Sequence, residues 1–586
     1  MSKEKSYIGF KNGNYGRFDE FKDKKGNTTT VFTPYGKMST LTKIIHDIEG
    51  DIYLFKLSYA YGNNDKEITV SRGELEEKTN CKMLADKGVA VRANTFDAFG
   101  TSIILQEEDY FLNNKPEYLS YRHLGWIETP IFNEDKEKKF YYRAEKLIGE
   151  GETIEGEYTG NFKITPMGSL KKWKRMVTED VLPYIPMSIV LLCSLSAVTS
   201  ALLSFRYPIG NGILHLCAVS SAGKSTSAWL ASSISGVPFT VVQQEYDSSG
   251  NLKMYSSILQ SFAATNNALI GKLAGNCGVP IVLDEIGKYR GSDLTETIFN
   301  LFDGNDKSRL NQELQVCEQP GFRGTIITVG ETDIFEKCKS KLEGIRNRVF
   351  KMTSKLTVSA EHSNRIKQCC AENNGKVAPK LAEFILDNGG FDYVAEKYEY
   401  WLEVLPERLP KVTFVEKFIE NFAAIYLATA DISKEALGLE FNIEGIIKYF
   451  CEYLSDENNT MNISKGSYEV MLEEFAVHSN NFYCEQGSNK INTHAEIWGR
   501  YNKCNKTTAS GKKIVGEWLV RPKIVKKIIK DNNYVLEQCK QSWKDNEQIS
   551  RDKDRPTRSR TIEIGKKDED VFVFNVFGQE EDKGDA

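Results

Sequence analysis

Short runs of alternating apolar and polar residues mark the first part of the chain, for instance DIYLFKLSYAYG and KEITVSRGEL. Alternation with a period of two is typical of half-buried strands, so we expect a β-rich or α+β domain over 1–165. Strand-like and helix-like segments alternate from 206 to about 355, which predicts a parallel α/β sheet. Helices over 166–205 precede this sheet, so the predicted α/β core spans 166–355.

The second half of the chain is predicted to begin with helices. Residues 356–480 have helical spacing, as in KFIENFAAIYLATADI, and form a predicted lid or linker. Residues 481–570 indicate a small winged-helix unit, and 571–586 a tail that is partly disordered. Within the winged helix we expect helices at HAEIWGRYNK and RPKIVKKIIKDNN. A two-stranded wing is expected at TIEIGKKDEDVFVFNVF.

One segment, MSIVLLCSLSAVTSALLSF at 187–205, carries no charge over about the length of a membrane span. Its serines and threonine, and the strand that follows soon after, favour a helix buried against the α/β core. We therefore expect no association with a membrane.

Composition narrows the class of protein further. The 586 residues exceed one ordinary core, so three or four domains are expected. A net charge of −5 means that any contact with nucleic acid depends on local basic patches. The twelve cysteines include no CxxC pair, which favours reduced thiols in a cytoplasmic protein. The N-terminus lacks the pattern of a secretion signal.

The segment ILHLCAVSSAGKSTSAW combines a short apolar strand, a turn of small residues and the start of a helix. A phosphate-binding loop (P-loop) requires that context, because its backbone N–H groups and helix N-terminus face a polyanion. Gly223 would give the backbone room, Lys224 would reach the β and γ phosphates of ATP, and Ser225 would bind Mg²⁺. The other residues predicted to contact the nucleotide are Ser221, Ala222 and Thr226.

Ala218 stands where the motif G-x-x-x-x-G-K-[ST] has its first glycine. Alanine is small, so we expect the substitution to be tolerated, although alanine does not share the access of glycine to positive φ. Taken alone, GKST also fits a polar loop with a solvated lysine, so a second motif is needed.

That second motif is VPIVLDEIG, an apolar strand that ends in two carboxylates roughly sixty residues after Lys224. Asp284 would hold the magnesium ion, directly or through water, and Glu285 would polarise the attacking water. Adjacent residues of a strand point to opposite faces, so the two carboxylates are expected to have distinct tasks. Ordinary surface carboxylates are the alternative, which the pairing with the P-loop outweighs.

A third and a fourth motif, RGTIITVGE and KLEGIRNRVFKM, fit an ATPase of the additional-strand class. RGTIITVGE indicates a strand between those of the first two motifs, with Thr328, or in second place Glu331, touching the γ-phosphate or the lytic water. KLEGIRNRVFKM has Arg346 and Arg348 at a helix–strand junction, where ring ATPases carry an arginine that enters the neighbouring site. Arg348 is slightly favoured. A capped strand end and a pair of surface arginines are the alternatives.

Basic residues that are candidates for DNA contact lie in two places. An insertion between the second and third motifs is predicted to form a hairpin tipped by Lys307 and Arg309, pointing into the channel of a ring. A charged surface hairpin is an equal alternative. The predicted winged helix has a basic face with Lys523, Lys526 and Lys527, which suits DNA, and a solvated wing that binds protein is the alternative.

Three stretches, TNNALIGKLAGNCGVPIVLDEIGKY, IFNLFDGNDKSRLNQ and GTIITVGE, resemble the family known as domain of unknown function 927. The whole chain resembles the Cch helicases of staphylococcal cassette chromosomes, which are similar to mini-chromosome-maintenance (MCM) helicases. The resemblance implies an AAA+ core that assembles into a hexamer, translocates on single-stranded DNA and unwinds duplex. By the same analogy the 1–165 domain is a ring collar or a DNA-binding domain, without the zinc site of many MCM proteins.

The resemblance also implies roles for single residues. Lys224 and Ser225 would hold nucleotide and magnesium, and Asp284 and Glu285 would perform the hydrolysis. The basic hairpin tip would correspond to Lys307 and Arg309, and the arginine finger to Arg348 or Arg346.

The predicted function is an ATP-driven hexameric DNA helicase of a mobile genetic element, acting in replication with ATP and Mg²⁺. Its predicted partners are single-stranded or forked DNA, further copies of the chain, and a primase or polymerase of the same element. The alternative is an ATP-switched, DNA-binding loader, packaging or defence ATPase without unwinding activity. A signalling P-loop protein that acts on protein partners is a third hypothesis, which the basic residues disfavour.

Overall fold

The computed structural model describes most of the chain. The described residues are 2–113, 118–130, 137–219, 221–239, 243–246, 252–263, 266–289, 294–304, 309–310, 316–317, 321–338, 343–412, 414–460, 463–484, 496–532, 534, 536–550, 556–563 and 566–578.

The N-terminal part is built mainly of strands, as the alternating pattern predicts. Its strands are β1 (Ser2–Lys11), β2 (Asn14–Lys22), β3 (Thr28–Lys37), β4 (Thr40–Asp47), β5 (Ile52–Tyr61), β6 (Asn64–Ser71), β7 (Tyr118–Tyr121), β8 (Gly125–Thr129), β9 (Lys139–Arg143), β10 (Leu147–Gly149), β11 (Glu152–Ile154) and β12 (Gly156–Tyr158). Between β6 and β7 lie α1 (Arg72–Glu76), α2 (Cys81–Asp86) and α3 (Phe96–Leu112). These strands form three sheets, with the orders β1-β2-β3, β12-β7-β4-β5-β6 and β11-β10-β9-β8.

The next part alternates strands and helices. Its helices are α4 (Leu170–Met176), α5 (Ile185–Leu203), α6 (Lys224–Ser233), α7 (Asn266–Leu273), α8 (Thr295–Asp303) and α9 (Glu343–Arg346). Its strands are β13 (Gly212–Cys217), β14 (Gln243–Tyr246), β15 (Leu252–Tyr255), β16 (Leu259–Ser261), β17 (Ile281–Asp284), β18 (Arg309–Leu310), β19 (Val316–Cys317), β20 (Thr325–Gly330) and β21 (Val349–Met352).

A five-stranded parallel sheet with the order β16-β17-β20-β13-β21 forms the centre of this part. The strand of the third motif, β20, therefore lies between β13 and β17, as the sequence predicts. Because all five strands are parallel, their carboxyl ends meet at one edge, where ligands of open α/β sheets bind.

Helix α5 is the apolar segment whose length suits a membrane span. In the described part of the chain it alone is long and apolar enough for that role, and 89% of its most apolar window is buried. The Cys193 carbonyl accepts a 2.6 Å bond from Thr325 of β20, and Ser194 donates to the Ala231 carbonyl of α6 at 2.7 Å. The prediction of a helix buried on the α/β core is confirmed.

The sheet that contains β8 packs onto the turn before β17. The backbone nitrogen of Trp126 donates to the carbonyl of Cys277 at 2.5 Å, and the Tyr142 hydroxyl donates to the carbonyl of Gly278 at 2.8 Å. Burial raises the pKa of the Tyr142 phenol, which keeps it protonated as a donor. The N-terminal part thus fixes the start of the strand that carries Asp284.

Helices dominate from 360 to 477: α10 (Ala360–Glu372), α11 (Val377–Asp387), α12 (Gly390–Arg408), α13 (Val415–Phe418), α14 (Ala424–Leu437), α15 (Ile443–Thr460) and α16 (Ile463–Val477). The C-terminal unit adds strands β22 (Phe482–Cys484), β23 (Gly499–Thr507), β24 (Lys513–Val520), β25 (Ile549–Ser550), β26 (Arg558–Arg560) and β27 (Glu569–Phe577), and helices α17 (Pro522–Asp531) and α18 (Leu536–Asp545).

The C-terminal unit corrects one predicted helix and confirms another. The helix predicted at RPKIVKKIIKDNN is α17, but HAEIWGRYNK runs into strand β23. Pairing with β24 overrides the helical spacing there, because Tyr501 packs against its cross-strand partner Trp518 at a centroid distance of 4.6 Å. A two-stranded wing is present, although its first strand is β26 and so lies before the predicted TIEI.

Candidate functional site

The loop between β13 and α6 follows the predicted pattern of strand, turn and helix. Gly223 caps α6 with a φ of 96°, a left-handed conformation that favours glycine. A Cβ atom at this position would also lie 2.6 Å from Oγ1 of Thr357. Conformation and space both require glycine here.

Among the described residues of this loop, Ser221 also has a left-handed backbone, at φ 67°. Ala218 is not among the residues with positive φ, so the backbone there does not require the conformational freedom of glycine. The Ala222 carbonyl accepts hydrogen bonds from the backbone nitrogens of Leu356 and Thr357, at 2.8 and 3.3 Å. The segment before α10 therefore braces the loop.

The Lys224 ammonium lies inside the loop that precedes it. Its Nζ donates to the carbonyl of Ala218 and, at 3.0 Å, to that of Val219, and lies 3.6 Å from Oε1 of Glu331. Ser225 next to it is exposed to the cavity. Such a lysine and hydroxyl suit the phosphates and metal ion of a nucleotide.

The predicted opposition of the two carboxylates is wrong. Strand β17 ends at Asp284, and Glu285 leaves it with a left-handed φ of 59°, so the strand alternation stops and both side chains line one cavity. The backbone nitrogen of Glu285 donates to Oδ1 of Asp284 at 2.9 Å, and the Glu285 carboxylate pairs with Lys288.

Burial and the neighbouring Glu285 charge raise the pKa of the Asp284 carboxyl above its usual range. A cation beside Asp284 would relieve both effects, so the residues fit a magnesium site. The described residues contain no group of three or more His, Cys, Asp or Glu side chains arranged to hold a metal. A magnesium ion here would be held by Ser225 and Asp284 together with phosphate oxygens of the nucleotide.

These groups share one cavity of about 800 Å³ at the carboxyl edge of the sheet. The loop of Lys224 forms one wall, and the ends of β17 and β20 form the second. The third wall, which the sequence reasoning missed, is the start of α10 with Lys355, Ser359 and Lys367. Thr226, predicted to contact nucleotide, ties α6 to this wall, because its Oγ1 lies 2.5 Å from Oγ of Ser363. In the sequence, Ser359 as a helix N-cap was the signal that could have located the start of α10.

Thr328, the first choice for the side chain touching the γ-phosphate, does not reach this cavity. It is fully buried inside β20, and its hydroxyl lies 2.8 Å from Nδ1 of His215 on the neighbouring strand. It lies too far from the end of β20, where Glu331 lines the cavity. The second choice, Glu331, has the suitable position.

The two candidate arginines lie on either side of Asn347, at the edge strand β21. The Arg348 guanidinium lies over Phe299 and Phe302, at 4.7 and 4.9 Å from the ring centroids, and donates to the Gly344 carbonyl. Arg346 lies over Phe335 at 4.8 Å. Neither lines the cavity of its own chain.

The predicted hairpin is present in the backbone, since β18 and β19 pair antiparallel. Arg309 lies on the first of these strands, paired with Cys317, and not at the tip as predicted. Lys307 lies outside the described residues.

The predicted basic face of the C-terminal unit lies on α17. Its apolar side chains are buried, and the lysines Lys523, Lys526, Lys527 and Lys530 are exposed together on the other side. Lys523 pairs with Glu496 at 2.7 Å. That bond holds the pKa of the Glu496 carboxyl below its usual range.

Comparison with known proteins adds two family models and a fold. A family model described as "Domain of unknown function (DUF927)" matches residues 18–319, and one described as "Cch helix turn helix domain" matches 462–578. A solved structure described as "SCCmec type IV Cch - active helicase" has a TM-score of 0.71 to this chain at 18% identity, covering 97% of each. That likeness shows a shared fold. Among curated proteins, none matches the chain by sequence.

Proposed function

Because the chain belongs to the family of domain of unknown function 927, we propose that it is an ATP-driven DNA helicase of the AAA+ class. The observation that carries the proposal is the cavity that brings Lys224, Ser225, Asp284 and Glu285 together at the edge of a parallel sheet. The strand order, with β20 between the two motif strands, and the shared fold with a protein described as an active helicase support it.

ATP binding rests on the loop of Lys224 and the N-terminus of α6. The loop's backbone N–H groups and the helix N-terminus offer donors and partial positive charge to the triphosphate. Lys224 would leave the carbonyls of Ala218 and Val219 to reach the β and γ phosphates. Mg²⁺, held by Ser225 and Asp284, would supply neutralising charge beside those phosphates.

Hydrolysis rests on Glu285, which lines the cavity beside Asp284. Its carboxylate would accept a hydrogen bond from the attacking water and align it with the γ-phosphorus. Glu331 lies across the cavity, 3.6 Å from Lys224. Its carboxylate would act on the γ-phosphate through Lys224, or would accept a hydrogen bond from the attacking water.

The proposed assembly is a hexameric ring in which each site is shared between two subunits. The arginine finger would be Arg346 or Arg348. Within its own chain the Arg346 guanidinium contacts the ring of Phe335, and the Arg348 guanidinium contacts two aromatic rings and a carbonyl. Mixing two variant proteins tests whether the site is shared between subunits. A finger variant, Arg346→Ala or Arg348→Ala, and the variant Glu285→Gln should each be inactive alone and should regain ATP turnover when mixed. Recovery fails if the site lies within one subunit.

DNA would contact the ring at the β18–β19 hairpin, with Lys307 and Arg309, and at the lysines of α17. Basic side chains grip the phosphate backbone without regard to sequence, which suits translocation on single-stranded DNA. In the cytoplasm such an enzyme would serve replication of a mobile element together with a primase or polymerase.

A forked-duplex unwinding assay tests the function directly, with mass photometry of the same sample for ring assembly. Strand separation that needs ATP and Mg²⁺ and is lost in Glu285→Gln is the expected result. A protein that hydrolyses ATP on DNA but never separates strands is instead the loader, packaging or defence ATPase. Turnover unchanged in both Lys224→Ala and Glu285→Gln would overturn the assignment of the cavity.

A further inference from the structure

The sheet β1-β2-β3 carries a row of aromatic rings across its three strands. Tyr7 pairs with Phe18, and Phe18 with Phe32, so all three side chains lie on the same face. Their ring centroids are 5.2 and 4.6 Å apart, and the first pair is stacked with an interplanar angle of 15°. We call these three residues the aromatic row.

Two glycines allow the rings to lie flat on the sheet. A Cβ atom on Gly9 would lie 2.9 Å from the ring of Phe18, and one on Gly16 would lie 2.9 Å from the ring of Phe32. The rings thus cover bare backbone, which leaves their outer faces directed away from the sheet.

The opposite face of the sheet packs against α3 at the end that carries Tyr15. Tyr15 on that face is fully buried and meets the ring of Phe99 on α3 edge-on, at 5.6 Å. On the face of the aromatic row, Tyr7 is 40% exposed and Phe18 and Phe32 are half-buried. Its neighbours Thr28, Thr30 and Pro34 are exposed, so the row lies on an open surface.

The charge around the row is strongly positive. The paired positions of this face include four exposed lysines, Lys5, Lys11, Lys22 and Lys37, and one acidic residue, Glu20. Lys11 and Lys37 flank Asn14 at one end of the strands, while Lys5 and Lys22 lie at the other end. Cations therefore lie on both sides of the row, although the whole chain has a net charge of −5.

We propose that the aromatic row and its four lysines bind single-stranded DNA, with bases stacked on the rings and phosphates on the lysines. Stacking platforms beside basic side chains are the common means of binding single strands without sequence preference. A duplex keeps its bases stacked on each other, so the rings favour single strands. A second copy of the chain is the less suitable occupant, because interfaces between proteins are depleted in lysine.

This site deepens the proposed function, since it would hold the strand beside the ring that the helicase moves along. It does not depend on ATP, however, because no residue of the row lies in the nucleotide cavity. Binding measured without nucleotide therefore separates the two proposals.

The test uses the full chain and fluorescence anisotropy with a labelled oligothymidine and with a blunt duplex. Tyr7→Ala combined with Phe18→Ala should weaken single-strand binding about tenfold or more, and duplex binding far less. Tyr7→Phe keeps a ring and should bind normally. Val31→Ala removes a 47% exposed apolar side chain from the other face of β3 and is the matched control.

Two further readouts keep the test decisive. Thermal unfolding of each variant identifies loss of fold, and photocrosslinking of wild type to oligonucleotides that carry 5-iodouracil should label the aromatic row. Unchanged single-strand binding in the double variant, or altered oligomer size with unchanged binding, overturns the proposal. Weakened binding with intact ATP turnover supports it, whether or not the protein unwinds a fork.

Discussion

The Nζ atom of Lys224 lies 3.6 Å from a carboxylate oxygen of Glu331, across the cavity at the end of the neighbouring strand β20. The lysine side chain is 12% exposed and the glutamate side chain 68% exposed. An ion pair with one exposed partner and a separation of 3.6 Å contributes little, at most about 1 kcal/mol. The Glu331 carboxylate still competes with a phosphate for the ammonium group of Lys224.

Replacing Glu331 with glutamine should therefore tighten the binding of a non-hydrolysable ATP analogue, by up to about fivefold. The turnover number should fall, because the end of β20 no longer offers a carboxylate that accepts a hydrogen bond from the lytic water. Calorimetry and a steady-state ATPase assay give the two quantities. Glu336→Gln, which alters a carboxylate outside the cavity, serves as the control. Weaker analogue binding would contradict this competition.

The left-handed backbone at Ser221 leads to a second prediction. A left-handed conformation costs a residue with a Cβ atom about 1–2 kcal/mol, and a β-branched residue more. Ser221→Gly should keep nucleotide affinity, whereas Ser221→Val should weaken it about tenfold or more. Ala218→Gly should change the affinity little, since Ala218 has no positive φ. A gain in Ala218→Gly comparable to the loss in Ser221→Val would show that the strained position is Ala218.

Much of the site could be predicted because its signals are local. The loop of Lys224 and the strand of Asp284 each combine an apolar run with a short polar end, and both form as predicted. Parallel pairing then brings these ends together at one edge of the sheet. The apolar helix α5 could also be assigned, because its serines and threonine dilute its apolar character; Ser194 and Thr199 bond to the neighbouring helices α6 and α14.

The other features of the site could not be predicted, because they depend on contacts between distant residues or on single backbone angles. Ser363 meets Thr226 across 137 positions, so no local pattern reveals the wall that α10 contributes. Glu285 leaves β17 through a single left-handed φ angle, which no residue type in the sequence indicates. The prediction that Thr328 contacts the γ-phosphate or the lytic water is wrong, because the strand continues to Gly330. The Thr328 hydroxyl faces His215 inside the sheet.

His215 predicts how stability depends on pH. Burial lowers the pKa of its imidazole to about 4 from an ordinary value of 6.5. The folded state therefore resists protonation while the unfolded chain accepts a proton. The contribution of His215 to stability is fully present above pH 6.5 and falls as pH drops from 6.5 toward 4, by at most roughly 3 kcal/mol.

Urea unfolding of wild type and His215→Gln at several pH values between 7 and 4.5 measures this effect. The midpoint for wild type should fall more steeply over that range than the midpoint for the variant, which has no imidazole to protonate. The variant loses some stability at pH 7, because its side chain cannot repeat both contacts with Thr328 and Thr332. Parallel curves for the two proteins would contradict the lowered pKa.

The lysines of α17 give the last prediction, because they differ in their partners. Lys523 is bound to Glu496 at 2.7 Å, whereas Lys526 has no ion pair among the described residues. Lys526→Ala should weaken DNA binding at low salt and reduce the slope of log K against log salt by about 1. Lys523→Ala should have a smaller effect, since the Lys523 ammonium is already bound to Glu496 and is less available to a phosphate. Lys540→Ala, which removes a lysine bound to Glu537 on α18, is the control. Equal salt slopes in wild type and Lys526→Ala would show that phosphates do not contact this face.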